Sequence, residues 1–339
     1  MIPHNKPSIG PEESQAIAEV ISSGWIAHGE KVKQFEQAFA DYVGAKHAVA
    51  VNSGTAALYI ALKILNNNGD MHNIFVPTYS CSALLNAVEL AGMYCIIEDI
   101  NRNDFNFEEI NNISYNETNA IIAVHTFGVP VSIIKIKNLP IVEDCSQALG
   151  SYINGKHVGL QGDVGIFSFG PSKMITTGSG GMLVTNNKEL ADKAREFIDY
   201  DKHVPAFNFA MNDLQAAMGI VQLKKLNTFL DKRFFMAGEY EKICHNKGWK
   251  YQDNGYQQNY YRFIITGSFV NRLKQHLADN GITAIVPIES RELLHNMLGL
   301  DASNYPNAEW VSTHTLSLPI YPDLLNNGFE KIIDALRRF

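Results

Sequence analysis

An α/β protein, with a mainly parallel sheet followed by a smaller α+β domain, is the fold class that this 339-residue sequence predicts. The main observation is a series of short apolar runs rich in β-formers: HAVAV (47–51), NIFVP (73–77), YCIIED (94–99), AIIAVH (120–125), PIVED (140–144), VGIFSF (164–169) and GMLVT (181–185). Strands read this way, uninterrupted rather than alternating and separated by helical segments, when helices cover both faces of their sheet. A second observation is the change of pattern after Trp249, where strand-like YYRFIIT and THTLSLP alternate with the helical segments NRLKQHLADNG and GFEKIIDALRRF. Together these place a large domain over about residues 1–235 and a small one over 236–339.

The elements follow in order. PEESQAIAEVISSG (11–24) has helical periodicity, with Pro11 at its start and Gly24 as a stop. EKVKQFEQAFADYVG (30–44) reads as a second helix, and NKELADKAREFI (187–198) as another. The stretch from Asn212 to about residue 246 is helical and long enough to link two bodies.

Composition excludes several classes. A net charge of -7 with dispersed Lys and Arg gives no nucleic-acid footprint. Cys81, Cys95, Cys145 and Cys244 form no CxxC pair, which fits a reducing compartment and no zinc site. No apolar run approaches the roughly 20 residues of a membrane helix, and no leader-like start is present, so a cytoplasmic location is expected.

Three motifs carry chemistry. VNSGTAAL (51–58) follows a strand and opens a helix, so Ser53, Gly54 and Thr55 form either a phosphate seat or simply a cap. PIVEDCSQALGS (140–151) sets Asp144 and Gln147 at the C-terminal end of a strand, where open α/β sheets present ligand-binding groups; taken alone, Asp144 reads first as a turn cap, and the lysine that follows changes that balance. SFGPSKMITTGSGG (168–181) holds Lys173 among small residues after the next strand. A phosphate seat, a carboxylate and a lysine on successive strand ends match the needs of pyridoxal 5'-phosphate (PLP).

With these motifs, and with MIPHNKPSIG, VPTYSCSALLNAV, VHTFGVP, FNFAMNDLQAAMGIVQL and LSLPIYPDLLNNGFEKIIDALRRF in the same order, the chain resembles the DegT/DnrJ/EryC1/StrS family of sugar aminotransferases along nearly its whole length. The resemblance implies the aspartate aminotransferase (PLP-dependent fold type I) architecture, with a mostly parallel seven-stranded sheet between helices. It implies Lys173 as the Schiff-base residue and proton carrier, Asp144 beside the pyridine nitrogen and Gln147 at the ring oxygen. Gly54, Thr55 and Ser168 would hold the phosphate. Asn208 would serve the partner subunit's phosphate in a homodimer with shared active sites.

The implied substrates are L-glutamate as amino donor and a nucleotide-linked keto-deoxy sugar as acceptor. Relatives that deoxygenate sugars carry histidine in place of the lysine, so Lys173 speaks against a dehydratase. Cys81 stands where many relatives place an aromatic ring on the cofactor face, and Gly170, Ser179 and Ala210 also depart from the family pattern. These departures, with shortened segments between VHTFGVP and PIVED and between Tyr200 and Phe207, motivate the alternative of a ligand-binding or regulatory homologue. His125 reads as a core or supporting residue as readily as a catalytic one. Trp25 and His295 are read as packing residues that could also line the sugar site.

Overall fold

The computed structural model describes residues 1–66, 69–107, 119–133, 139–199 and 207–339. Both shortened segments lie partly outside these residues. The chain opens with helices α1 (Pro11–Ser23) and α2 (Glu30–Val43), each stopped by a left-handed glycine, Gly24 and Gly44. Strand β1 (His47–Val51) then leads into α3 (Gly54–Leu65), β2 (Asn73–Pro77), α4 (Ala83–Leu90), β3 (Tyr94–Glu98), β4 (Ala120–Val124) and β5 (Ile141–Asp144). A small hairpin, β6 (Tyr152–Ile153) with β7 (Lys156–His157), precedes β8 (Val164–Ser168), β9 (Gly181–Thr185) and α5 (Lys188–Ile198).

Seven of these strands form one sheet in the order β1-β9-β8-β5-β4-β2-β3. All neighbours pair in parallel except those of β9, which runs against both β1 and β8. Strands β4, β5 and β9 are buried throughout, as their unbroken apolar runs require of a sheet covered on both faces.

The 35-residue α6 (Asp213–Lys247) packs against α1 and α2. Its first residue, Asp213, accepts the backbone N–H groups of Gly29 and Val32 at 2.9 and 3.0 Å, so the start of one helix caps another. Further along, Gln222 and Lys225 both donate to the buried Glu13 of α1. A second core follows around a three-stranded sheet of β10 (Lys250–Tyr251), β11 (Phe263–Thr266) and the later β12, with α7 (Val270–Asp279) against it. The short helices α8 (Leu294–Met297) and α9 (Pro306–His314) precede β12 (Thr315–Leu318), and α10 (Phe329–Arg338) ends the chain.

Two features fix the strand ends that matter for the site. The first is close backbone approach where α3 meets β8 and β9. A Cβ on Gly54 would lie 2.7 Å from the Ser168 Cβ, and one on Gly181 would lie 2.3 Å from the Ser53 carbonyl oxygen. The second is a buried carboxylate. Glu143 Oε1 accepts the Gln161 and Gly162 amides at 2.6 and 2.7 Å, while Oε2 accepts the Gly159 amide at 2.8 Å and faces His125 Nε2 at 3.1 Å. Burial alone raises the Glu143 pKa, but the hydrogen bond with His125 and the Gly162 and Gly159 amides bring it below the ordinary carboxylate value.

Gly181→Ala should therefore cost about 1–3 kcal/mol, because the clash is with backbone. Gly238→Ala, inside α6 with open space around the Cβ, should instead stabilise by about 0.5–1 kcal/mol. Urea unfolding of both variants checks the opposite signs. Glu143→Gln supplies only one oxygen where five donors converge, and should lose about 3–5 kcal/mol at neutral pH. Since the folded-state pKa of Glu143 is depressed, its contribution is present above the ordinary value of 4.5 and disappears as pH falls through the depressed one. The gap between wild type and variant should shrink in urea titrations at progressively lower pH.

Candidate active site

The expected site residues converge on one cavity of about 460 Å³. Ser53, Gly54 and Thr55 line it from the start of α3, Asp144 and Gln147 from the end of β5, and Ser168 and Lys173 from the end of β8 and the loop beyond. Cys81 lines it as well, and is exposed. Asn208 does not line it. That residue is exposed, and its carbonyl accepts the Asn52 side-chain amide at 2.9 Å beside the β1–α3 turn.

The lysine sits in a wide loop joining antiparallel β8 and β9, closed by the Phe169 amide donating to the Gly180 carbonyl at 2.8 Å. The loop's small polar residues have a structural use. Thr176 Oγ1 donates to the Phe169 carbonyl and accepts the Gly178 amide, and Thr177 Oγ1 donates to the Ser179 carbonyl. Gln222 of α6 accepts the Thr176 amide, and Asn5 donates to the Ser172 carbonyl, so α6 and the N-terminal segment both hold the loop. Phe169 anchors it below, packed on Phe35 and Phe39 at 5.3 and 5.5 Å. Lys173 itself is half-buried, bonded through its own amide to the Gly170 carbonyl, with Nζ 5.7 Å from the Tyr261 ring centre.

Ser53 caps α3, accepting the Ala56 amide at 3.1 Å. Its hydroxyl is thereby engaged, while the Gly54 and Thr55 amides open the helix with no upstream helical carbonyl to bond, which is the arrangement that favours an anion. Capping and anion seating, alternatives in the sequence, are compatible here. Asp144 is buried, with Oδ1 accepting the Ser146 amide at 2.9 Å. Gln147 Oε1 accepts the Phe127 amide at 2.8 Å, which leaves the side-chain NH₂ as its remaining polar group.

Phe127 is the strained residue of the site, with φ of 57° inside the turn Thr126–Gly128. Gly128 follows at φ of 92°, where a Cβ would lie 1.9 Å from Asn259 Oδ1. A left-handed non-glycine residue costs about 1–3 kcal/mol and persists only when its surroundings over-determine it. Here the Gln147 bond and the acceptance of the Thr126 amide by Asn106 Oδ1 do so.

Six residues of the cavity wall come from beyond α6 and carry no local sequence signal: Tyr261, Arg262, Pro287, Ile288, Glu292 and Met297. Burial raises the Tyr261 pKa, but the charges of Lys173, Arg262 and Arg233 and a hydrogen bond with Ser172 bring it below its ordinary value. The Arg262 guanidinium carbon lies 5.3 Å from the Phe127 ring centre and 5.7 Å from that of Tyr261. Arg262 Nε and Nη1, with Ser80 Oγ and Thr126 Oγ1, are buried without a hydrogen-bond partner. Orphaned polar atoms clustered round one cavity fit a site that takes a polar ligand.

The remaining candidates have different fates. His125 is fully buried, with Nδ1 accepting the Val131 amide at 2.9 Å and Nε2 bonded to Glu143, so it supports the strand ends. His295 is also buried, bonded to Thr78 Oγ1 at 2.6 Å and Glu309 at 3.0 Å, and stacked on Tyr305 at 4.2 Å, as a packing role requires. Trp25 departs from expectation. It is 64% exposed and lies away from the cavity, because the turn after α1 projects it outward.

Comparison with known proteins agrees with this geometry. The model of the DegT/DnrJ/EryC1/StrS aminotransferase family matches residues 7–337. The chain is 31% identical to the GDP-perosamine synthase of Escherichia coli O157:H7, covering 100% of this chain and 98% of that protein. It is 29% identical to the spore coat polysaccharide biosynthesis protein SpsC of Bacillus subtilis (strain 168), covering 99% and 96%. Among solved structures it is similar to the aminotransferase TlmJ from Streptoalloteichus hindustanus, with a TM-score of 0.90, 26% identity and coverage of 100% and 98%. The family is PLP-dependent, and it has members in polysaccharide and amino-sugar biosynthesis. With a match that leaves only a few residues at either end, the chain belongs to the DegT/DnrJ/EryC1/StrS aminotransferase family and is a sugar aminotransferase.

Proposed function

We propose that this protein moves an amino group from L-glutamate to the keto group of a nucleotide-linked keto-deoxy sugar. The observation that carries the reading is the meeting of Lys173, Asp144, Gln147 and the α3 start in one cavity. PLP, when bound, supplies an electron-withdrawing ring that stabilises negative charge on the carbon bearing the transferred nitrogen.

The residues present suit that group. Lys173 Nζ is the atom that would carry it covalently, with no hydrogen bond or ion pair to break among the described residues. Asp144 would keep the pyridine nitrogen protonated, and its bond from the Ser146 amide holds the carboxylate in place. Gln147, its oxygen occupied by Phe127, has NH₂ to offer the ring oxygen. Gly54, Thr55 and Ser168 would hold the phosphate, as the close contact of Gly54 with Ser168 suits. Asn208, outside the cavity of its own chain, would reach the partner subunit's phosphate in a homodimer.

In each half of the reaction Lys173 Nζ would take a proton from one carbon and return it to another. This role needs a neutral amine that can swing, which small neighbours permit. The likeness to a GDP-perosamine synthase over the full chain supports a nucleotide-linked sugar as acceptor.

Borohydride reduction of PLP-reconstituted protein, followed by peptide mass spectrometry, should place a stable adduct on Lys173. An unmodified Lys173 peptide in fully reconstituted protein would sink the reading. Lys173→Ala should lower kcat by about 10²–10⁴-fold through loss of the proton carrier. Asp144→Asn keeps the shape but removes the charge, and should lower kcat by about 10²-fold or more. Amino transfer from L-glutamate to a panel of keto-sugar nucleotides is the measurement for both.

A further inference from the structure

Arg262 is the unexplained group of the cavity. It enters from the start of β11, in the second core of the protein, yet lines the same cavity as Lys173. It makes no hydrogen bond or ion pair among the described residues, and its Nε and Nη1 are buried without a partner. The acidic wall residue Glu292 forms no ion pair with it among the described residues, and Glu292 Oε2 accepts the Glu289 amide at 2.8 Å. What holds the guanidinium is aromatic: the rings of Phe127 and Tyr261, with centres 5.3 and 5.7 Å away.

This arrangement is unfavourable by itself, because a partly buried cation lacks a counter-charge. It is also built with some care. Phe127 reaches its place only through a left-handed backbone held by Gln147. Two aromatic rings neighbour the guanidinium, and its planar fork is suited to a carboxylate, which it binds through two parallel hydrogen bonds.

Two substrate anions could meet it in the proposed reaction, a donor carboxylate or the diphosphate of a sugar nucleotide. The position of Lys173 decides between them. Lys173 Nζ and the Arg262 guanidinium both lie 5.7 Å from the Tyr261 ring centre, so one aromatic ring carries both the reacting amine and the free cation. An amino acid's carboxylate is attached directly to the carbon that gives up its proton to that amine. The diphosphate lies a sugar ring away from the reacting carbon.

We infer that Arg262 is the carboxylate anchor for the amino donor, pinned between Phe127 and Tyr261 and left without a protein counter-ion so that the donor supplies it. The inference rests on the reading under "Proposed function" and adds the residue that selects an amino acid as donor. Arg262 orients the donor's reacting carbon toward Lys173 and takes no part in proton transfer.

Binding of 2-oxoglutarate to the PLP-loaded protein tests it without turnover, because this keto acid carries the donor's carboxylates but no amine to transfer. Calorimetric titration should show Arg262→Gln weakening 2-oxoglutarate by at least ~30-fold. Arg262→Lys should recover only part of the loss, because it keeps the charge and lacks the fork. Binding of guanosine or uridine diphosphate, and retention of PLP, should be unchanged in both variants.

Equal 2-oxoglutarate affinity in wild type and Arg262→Gln, or no saturable binding by wild type, overturns the inference. So does a loss confined to the nucleoside diphosphates or to PLP, which would assign the cation to a phosphate. The borohydride adduct on Lys173 separates the two levels: an adduct with unchanged oxoglutarate binding removes the role of Arg262 alone, whereas a missing adduct removes the reading beneath it.

Discussion

A single buried carboxylate, Glu143, determines where the site's strands end. It is fully buried on β5, and the amides of Gly159, Gln161 and Gly162 and the His125 ring all turn toward it. A buried charge is tolerated only when its oxygens are fully bonded, and breaking such a set costs about 3–5 kcal/mol. Successive residues of a strand face opposite sides, so holding Glu143 to one face commits Asp144 to the other, where the cavity lies. The hydrogen bond with His125 also joins β5 to the end of β4, from which the Thr126–Gly128 turn departs. One carboxylate thus sets the direction of its chemical neighbour and the base of the strained turn.

The cavity floor is set by a different constraint, the absence of side chains. Gly54 and Gly181 allow the first turn of α3 to press on the ends of β8 and β9, at distances where any Cβ would overlap backbone or Ser168. The amides of Gly54 and Thr55 therefore open toward the same space as Ser168. An anion placed there meets a helix start and a hydroxyl together, a combination that neither element provides alone.

Much of this was legible in the chain because it is local. Each of the seven large-sheet strands lies within a continuous apolar run, and Lys173, Asp144 and the Ser53–Thr55 turn stand where strand ends were expected. What stayed hidden depends on contacts between distant residues. In the sequence Glu143 is one half of an adjacent Glu-Asp pair, and only the folded loop 159–162 shows why a carboxylate is buried there. Tyr261 and Arg262 belong to a strand whose sequence describes its own sheet, and nothing in YYRFIIT points to a cavity walled by β5 and β8. Trp25 misled for the converse reason: its residue type argues for burial, but its turn faces outward. The hairpin β6–β7 and strand β10, two residues per strand, are too short to leave a periodic signal.

The question raised by a lysine among small residues has a mechanical answer. Thr176, Thr177, Gln222 and Asn5 steady the loop through bonds to its backbone, while the lysine contributes only its own amide. Rigidity thus resides in the main chain, and freedom in the one side chain that must move. An ion-paired lysine would have to break a charge-assisted bond, worth about 1.5–3 kcal/mol, each time it left its resting place. Against an aromatic ring at 5.7 Å, the amine is held weakly and can alternate between covalent partner and proton carrier. A Cβ at Gly170 would already touch the lysine stem, 3.8 Å from Lys173 Cγ, and a polar partner would restrain it, so this small residue serves the motion as much as the fold.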